Sequence, residues 1–226
     1  MPGFFVTGTD TGVGKTLVAC ALARGLRGRG LDVGVMKPVE TGVGTDGPLD
    51  AKALQASAGS GDALDQICPI TLPLAAAPAV AATEAGIRIE LSWLSETFKA
   101  LAARHAWMIV EGAGGLLVPL SSSADMADLA AELGLPLVVA ARARLGTINH
   151  TRLTLEAAKA RRLTVAGVVV SHADGPLSAA DSANLAALRA WLGERLAGEL
   201  PPIAPGASAP FDAINLDALM RGPRSG

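Results

Sequence analysis

No tyrosine occurs in this chain, and aromatic residues make up only 3% of its 226 positions. Few surfaces are therefore left on which unpaired bases could stack, which argues against single-stranded nucleic acid as a partner. An excess of either charge is missing too: 19 Lys and Arg stand against 21 Asp and Glu, a formal net charge of −2. Such a balance gives no whole-surface attraction to nucleic acid or to an anionic membrane. Two cysteines, Cys20 and Cys68, are too few for a disulfide framework, and no Cys/His spacing suits a zinc site, so a reducing cytoplasm is expected. No apolar run reaches the ~20 residues of a membrane span, and the first residues lack the basic segment of a signal peptide. Small molecules or other proteins are the expected partners.

Half of the residues are hydrophobic, enough for one domain over 1–226 with a substantial core. The stretch around which the chain is organised is Gly8-Thr9-Asp10-Thr11-Gly12-Val13-Gly14-Lys15-Thr16, entered from the apolar run Phe4-Phe5-Val6 and left by a helical pattern. Strand, glycine-rich turn and helix in this order make a phosphate-binding loop: backbone N–H groups and the positive end of the helix converge on one anion. Lys15 would reach the β- and γ-phosphates of a nucleotide, and the Thr16 hydroxyl would take a position on Mg²⁺. Five residues separate Gly8 from Gly14, one of several variants of the usual spacing.

Strand and helix patterns alternate along the rest. Strands are expected over 3–7, 32–37, 107–110, 136–141 and 165–170, and helices over 15–29, 49–58, 124–133, 147–161 and 178–196. A further helix carries Leu91, Leu94, Phe98 and Leu101. Residues 39–48 read as a loop, 59–90 as irregular with short strands or turns because Pro69, Pro73 and Pro78 interrupt every apolar run, and 201–210 as a proline-rich loop before a short helical pattern over 214–220. The alternation implies a doubly wound, mostly parallel α/β sheet with right-handed crossovers, the P-loop NTPase type. Ligands of such sheets sit at the carboxyl ends of the strands.

That rule gathers the polar residues which end each predicted strand. Lys37 follows the second, held by Pro38; Glu111 closes the Trp107 strand in Glu111-Gly112-Ala113-Gly114-Gly115, where a carboxylate could hold a metal; Ser171 and His172 follow the Val165 strand. Asp50 heads a helix, and from spacing alone it reads as an amino-terminal cap. His150 and His172 could be acid–base groups but have no partner that the sequence can name and read as capping or surface residues. His105, on the helix before Trp107, reads as exposed, and Arg142, Arg144, Arg161 and Arg162 read as solvated, with phosphate contact the lesser alternative.

Four segments together resemble the dethiobiotin synthetase family: the loop 8–16, Lys37-Pro38-Val39-Glu40-Thr41-Gly42, Val110-Glu111-Gly112-Ala113-Gly114-Gly115, and Leu145-Gly146-Thr147-Ile148-Asn149-His150. The resemblance runs in matching order from residue 3 to about residue 200, with 59–90 and the carboxyl tail fitting loosely. It implies an ATP- and Mg²⁺-dependent ligase that closes a ureido ring from 7,8-diaminopelargonate and CO₂ through a carbamate and a carbamic–phosphoric mixed anhydride. It implies Lys37, Lys15 and Thr11 as catalytic residues and Thr16, Asp50 and Glu111 as metal ligands. For ATP it implies Gly12, Val13, Gly14, Lys15, Thr16, Leu17, Asp50, Glu111, Gly112, Ala113, Gly114, Ser171, Pro201, Pro202 and Ile203. For the substrate it implies Thr41, and, across the interface of a homodimer, Gly146, Thr147 and Asn149. Position 12 is glycine where some members carry glutamate, and Ser171-His172 stands where some have Asn-Asp, a pair associated with the adenine edge. A relaxed preference among nucleoside triphosphates is therefore expected.

Partition and division-site ATPases share the fold class but carry a lysine early in the loop, where this chain has Asp10. Amidoligases of the cobyric acid type usually carry a glutaminase domain, for which 226 residues leave no room.

Overall fold

A computed structural model describes residues 1–173, 175–204 and 207–222. Its first strand, β1 (Gly3–Gly8), is buried along its whole length. Consecutive strand residues point to opposite faces, so Phe4 and Val6 enter one hydrophobic cluster and Phe5 the other. One short segment thus seeds the core on both sides of the sheet, each large apolar side chain contributing about 1.5–3 kcal/mol on burial.

The chain continues as α1 (Lys15–Gly28), β2 (Val33–Met36), β3 (Val39–Thr41), α2 (Leu49–Ala58), α3 (Leu64–Ile67), β4 (Ile70–Leu72), α4 (Pro78–Glu84), α5 (Leu91–Ala102) and β5 (Trp107–Gly115). It closes with α6 (Met126–Leu133), β6 (Leu137–Arg142), α7 (Thr147–Ala160), β7 (Val165–Ser171), α8 (Ala179–Leu192), a 3₁₀ turn Gly193–Arg195, β8 (Leu196–Leu200) and α9 (Leu216–Arg221). Six strands form one sheet in the order β2-β5-β1-β6-β7-β8, and every pairing in it is parallel. α1 lays Val18, Leu22 and Leu26 against one face with Leu54 of α2, while Leu94 and Phe98 of α5 and Leu185 and Leu188 of α8 cover the other. The doubly wound α/β architecture is the expected one. β1 lies between β5 and β6, at the point where the strand order reverses, so the loop leaving it opens into the crevice where such sheets bind ligands.

Three expectations need correction. The long helix expected over 178–196 stops at Leu192: Gly193 takes φ +52° and the chain becomes β8, a parallel edge strand on β7. Residues 39–48 are not all loop, because β3 pairs in parallel with β4 in a separate two-stranded sheet. The stretch 59–90 holds the short strand β4, in keeping with the expectation, but also the helices α3 and α4, and Pro78 begins α4 at a first-turn position that needs no N–H, instead of interrupting structure. Of the loop over 201–210, residues 205 and 206 lie outside the described residues, as do 223–226 of the expected domain. No helix among the described residues is long and apolar enough to cross a membrane.

Candidate active site

The loop between β1 and α1 bends through Gly12 at φ +72° and Gly14 at φ +89°, conformations that an L side chain rarely adopts. A Cβ at Gly14 would also collide with the Ser171 hydroxyl at the end of β7, so the loop rests directly on that strand. Gly14 is the cap of α1 and has no side chain to accept from its first turn. The first-turn N–H groups of this 14-residue helix therefore face the loop, an anion-binding arrangement. Lys15 is buried, and its Nζ donates to the Asp10 carbonyl at 3.1 Å, curling over the loop. Arg142, at the end of β6, donates to the Thr11 carbonyl at 3.1 Å.

Beside the loop four polar side chains meet: Lys37 after β2, Glu111 of β5, Thr16 of α1 and Asp50 of α2. Lys37 emerges from β2 into the interior, 3% exposed, with its backbone N–H donating to the Ile67 carbonyl of α3 at 2.8 Å. Its Nζ lies 2.5 Å from Glu111 Oε1 and 2.8 Å from Asp50 Oδ2. The Thr16 hydroxyl sits 2.9 Å from Glu111 Oε1 and 3.0 Å from Asp50 Oδ1, so it can donate to one carboxylate while facing both. Glu111 is fully buried, and its second oxygen, Oε2, has no hydrogen-bond partner among the described residues.

The charges respond to this crowding. Burial alone would lower the Lys37 ammonium, but Glu111 and then Asp50 outweigh it and hold it above the ordinary lysine value. Burial, only partly offset by Glu111, holds Lys15 below that value. Burial raises Glu111, with the Asp50 charge adding to it against the pull of Lys37. Asp50 is lowered: burial opposes, but Lys37 by charge and hydrogen bond, with Thr16, prevails.

Thr16, Asp50 and Glu111 offer a hydroxyl and two carboxylates, a hard oxygen donor set that suits Mg²⁺. A buried acceptor without a donor costs about 1–3 kcal/mol; Glu111 Oε2 is such an acceptor, and a cation would satisfy it. Among the described residues no group of three or more His, Cys, Asp or Glu could hold a metal ion. Mg²⁺ commonly takes one or two carboxylates and completes its shell with substrate phosphates and water.

The remaining residues singled out above fall in three places. Leu17 lies in the first turn of α1, and Gly112, Ala113 and Gly114 continue β5 past Glu111. Thr41 ends β3, half-buried. Gly146, in the left-handed region at φ +91°, caps α7, where the Thr147 hydroxyl is buried without a partner and Asn149 is exposed. Among the described residues no hydrogen bond ties Thr41, Gly146, Thr147 or Asn149 to the Lys37 cluster. Ser171 is buried with its hydroxyl unpartnered, and Pro201, Pro202 and Ile203 follow β8 on the same rim.

Six readings of single residues change. Asp50 is not the cap of α2: Pro48 holds that position, and the Asp50 side chain turns to Lys37 and Thr16. His172 has a partner, Glu199 at 3.3 Å, which also accepts from Arg189. His105 is not simply exposed, for its Nδ1 lies 3.1 Å from Asp32 and its Nε2 2.7 Å from Asp62. Arg161 is paired with Asp125 and Asp128, Arg144 with Asp181, and Arg142 donates to the Thr11 carbonyl, instead of being freely solvated. The sequence also missed Glu40, whose buried carboxylate accepts the Asp50 and Ala51 N–H groups at 3.0 Å each. A signal existed, since a helix entered through Pro48 has no cap of its own and needs an acceptor from elsewhere.

A left-handed glycine loop opening a helix at the switch point of a parallel sheet, with lysines and two carboxylates beside it, defines a P-loop nucleotide-binding protein. A family model described as an AAA domain matches residues 2–208. An ATP-dependent dethiobiotin synthetase from Anaeromyxobacter dehalogenans (strain 2CP-C) is 51% identical over 191 residues, covering 82% of this chain and 86% of the relative. Its counterpart from Xylella fastidiosa (strain 9a5c) is 42% identical over 210 residues, covering 91% and 92%. The chain belongs to the ATP-dependent dethiobiotin synthetase family. Among solved structures it resembles a ParA family ATPase from Chlorobium tepidum TLS (TM-score 0.57, 14% identity, 96% and 98% covered) and the MinC:MinD cell division complex of Aquifex aeolicus (TM-score 0.56, 12% identity, 98% and 86% covered). These two likenesses concern the fold alone.

Proposed function

We propose that the protein closes the ureido ring of dethiobiotin from 7,8-diaminopelargonate, CO₂ and ATP, in the cytoplasm. One amine of the substrate adds to CO₂ and loses a proton, giving a carbamate. A carbamate oxygen attacks the γ-phosphorus, ADP leaves, and a carbamic–phosphoric mixed anhydride results. The neighbouring amine attacks the carbonyl carbon and phosphate departs, leaving dethiobiotin, ADP and phosphate. Chemistry of this kind asks a protein for positioning and for cations around a migrating phosphoryl group, with little covalent participation.

The residues divide that work. Lys15, with the N–H groups of Gly12, Val13, Gly14, Thr16 and Leu17, cradles the phosphates, while Lys37 and Thr11 face the carbamate and the γ-phosphate. Gly112, Ala113 and Gly114 border the nucleotide, and Ser171, Pro201, Pro202 and Ile203 border its base. Thr16, Asp50 and Glu111 would hold Mg²⁺, which neutralises phosphate charge when bound. Thr41 contacts the diamine, and Gly146, Thr147 and Asn149 of a second copy receive the substrate carboxylate at the start of α7. Leu145 and Leu153, 72% and 60% exposed beside that helix start, supply apolar surface for the homodimer. The exchange of Asn-Asp for Ser171-His172 relaxes the choice of base.

The observation that carries the reading is the meeting of Lys37, Asp50, Glu111 and Thr16 next to the loop that holds Lys15. The test is dethiobiotin formation followed by mass spectrometry together with phosphate release. Release is expected to require both diaminopelargonate and bicarbonate and to ignore DNA, lipid and glutamine; release indifferent to the diamine would sink the proposal. Light scattering tests the dimer, and an active monomer would count against the shared substrate site.

A further inference from the structure

Glu40 lies outside every role assigned above, yet it is the carboxylate most tightly bound to the backbone of the site. Helix α2 begins after Pro48, which offers no side-chain acceptor, so the N–H groups of its first turn need partners from another segment. Glu40 supplies them from β3: Oε1 accepts from Asp50 N at 3.0 Å and Oε2 from Ala51 N at 3.0 Å. Only 7% of Glu40 is exposed, and its negative charge faces the positive end of the helix. Lys37, between β2 and β3, and Glu40 of β3 hold Asp50 from two sides, Lys37 by the side-chain oxygen at 2.8 Å and Glu40 by the main-chain N–H.

We infer that Glu40 is a positioning residue for the cation-binding side of the site, locking the first turn of α2 so that the Asp50 carboxylate faces Thr16 and Lys37. The inference rests on the reading of Asp50 as a metal ligand. Both carboxylate oxygens are needed, because an amide at this position would turn an N–H donor toward a backbone N–H donor. Glu40 also adjoins Thr41, so the same lock sets the spacing between the substrate side and the metal side.

The experiment compares Glu40→Gln, Glu40→Asp, Asp50→Asn and Ala53→Gly in the full chain. Ala53 is exposed on α2, and its glycine variant loosens the helix without touching the capped turn. Two readouts are taken besides melting temperature: the Mg²⁺ concentration that half-saturates turnover, and the binding of Mn²⁺ to the ADP-saturated protein by electron paramagnetic resonance. Glu40→Gln is expected to weaken both metal readouts roughly 10-fold or more, the range seen when a partner of a metal ligand is lost. Glu40→Asp, which keeps the charge but shortens the reach, shifts them in the same direction by less, and Ala53→Gly lowers the melting temperature without moving either. If Glu40→Gln behaves like Ala53→Gly while Asp50→Asn weakens Mn²⁺ binding, Glu40 is an ordinary helix cap and the inference fails alone. Unaltered Mn²⁺ binding in Asp50→Asn overturns the metal reading and the inference together.

Discussion

Lys37 and Glu111 stand 74 positions apart in the chain and 2.5 Å apart in space, both shut away from solvent. Removing one partner of such a pair leaves the other charge buried without compensation, which costs about 3–5 kcal/mol. Lys37→Met is therefore expected to lower stability by that amount in urea unfolding. Turnover should fall by about 100-fold or more, because in the proposed reaction the variant also deletes a cation beside the transferring phosphoryl group. Lys37→Arg should rescue little, since a planar five-donor fork does not occupy the place of a compact ammonium. Native-like stability in Lys37→Met would mean that the pair is not closed in solution.

Gly14 makes a second test. At φ +89°, with a new Cβ overlapping the Ser171 hydroxyl and lying 2.9 Å from the Ser171 Cβ, alanine there must either push β7 away or reshape the loop. Gly14→Ala is expected to weaken ADP binding by at least about 10-fold in calorimetry, a left-handed alanine alone costing roughly 1–2 kcal/mol. Gly14→Ala/Ser171→Gly should recover the steric part and keep the backbone part. Equal affinity for ADP in wild type and Gly14→Ala would remove the loop from the nucleotide site.

The loop was legible in the sequence because its physics is local: Gly8, Gly12, Gly14, Lys15 and Thr16 lie within nine residues, and spacing alone specifies the turn. Strand ends were legible for a similar reason, and the apolar runs that stop at Lys37, Glu111 and Ser171 marked the binding rim. Asp50 was not, since an acidic residue at a helix start has a sufficient local explanation. Only the family resemblance pointed to it, and in the structure it meets Thr16 and Lys37, 34 and 13 positions away. Glu40 escaped for the converse reason: it serves a helix that begins beyond a loop. β8 was missed because Leu185, Leu188, Leu192 and Leu196 keep a helical spacing through Gly193, and only the sheet edge offered by β7 converts Leu196–Leu200 to strand.

The two thiols give a prediction independent of ligand. Burial is the main cause that lifts Cys20 to about 11 and Cys68 to about 12, and both side chains are enclosed. The thiolate is the reactive form, so at pH 8 the native protein should resist iodoacetamide, and two equivalents should react once it is unfolded in urea. Fast modification of either residue in the native state would place that thiol at the surface.

Asp181 sets an acid limb for stability. Hydrogen bonds from the Ser178 side chain and backbone, then the Leu145 N–H and Arg144, hold its carboxyl down at about 2 against an ordinary 3.8. Because the folded value lies below the unfolded one, the stabilisation is present above about pH 4 and lost as pH falls toward 2. These bonds tie the start of α8 to Leu145, immediately before the Gly146 turn that opens α7. Asp181→Asn should therefore lower the urea midpoint at pH 6, and its deficit against wild type should shrink steadily as pH falls from 4 to 2. A deficit of constant size across that range would show that the carboxylate charge has no part in the joint.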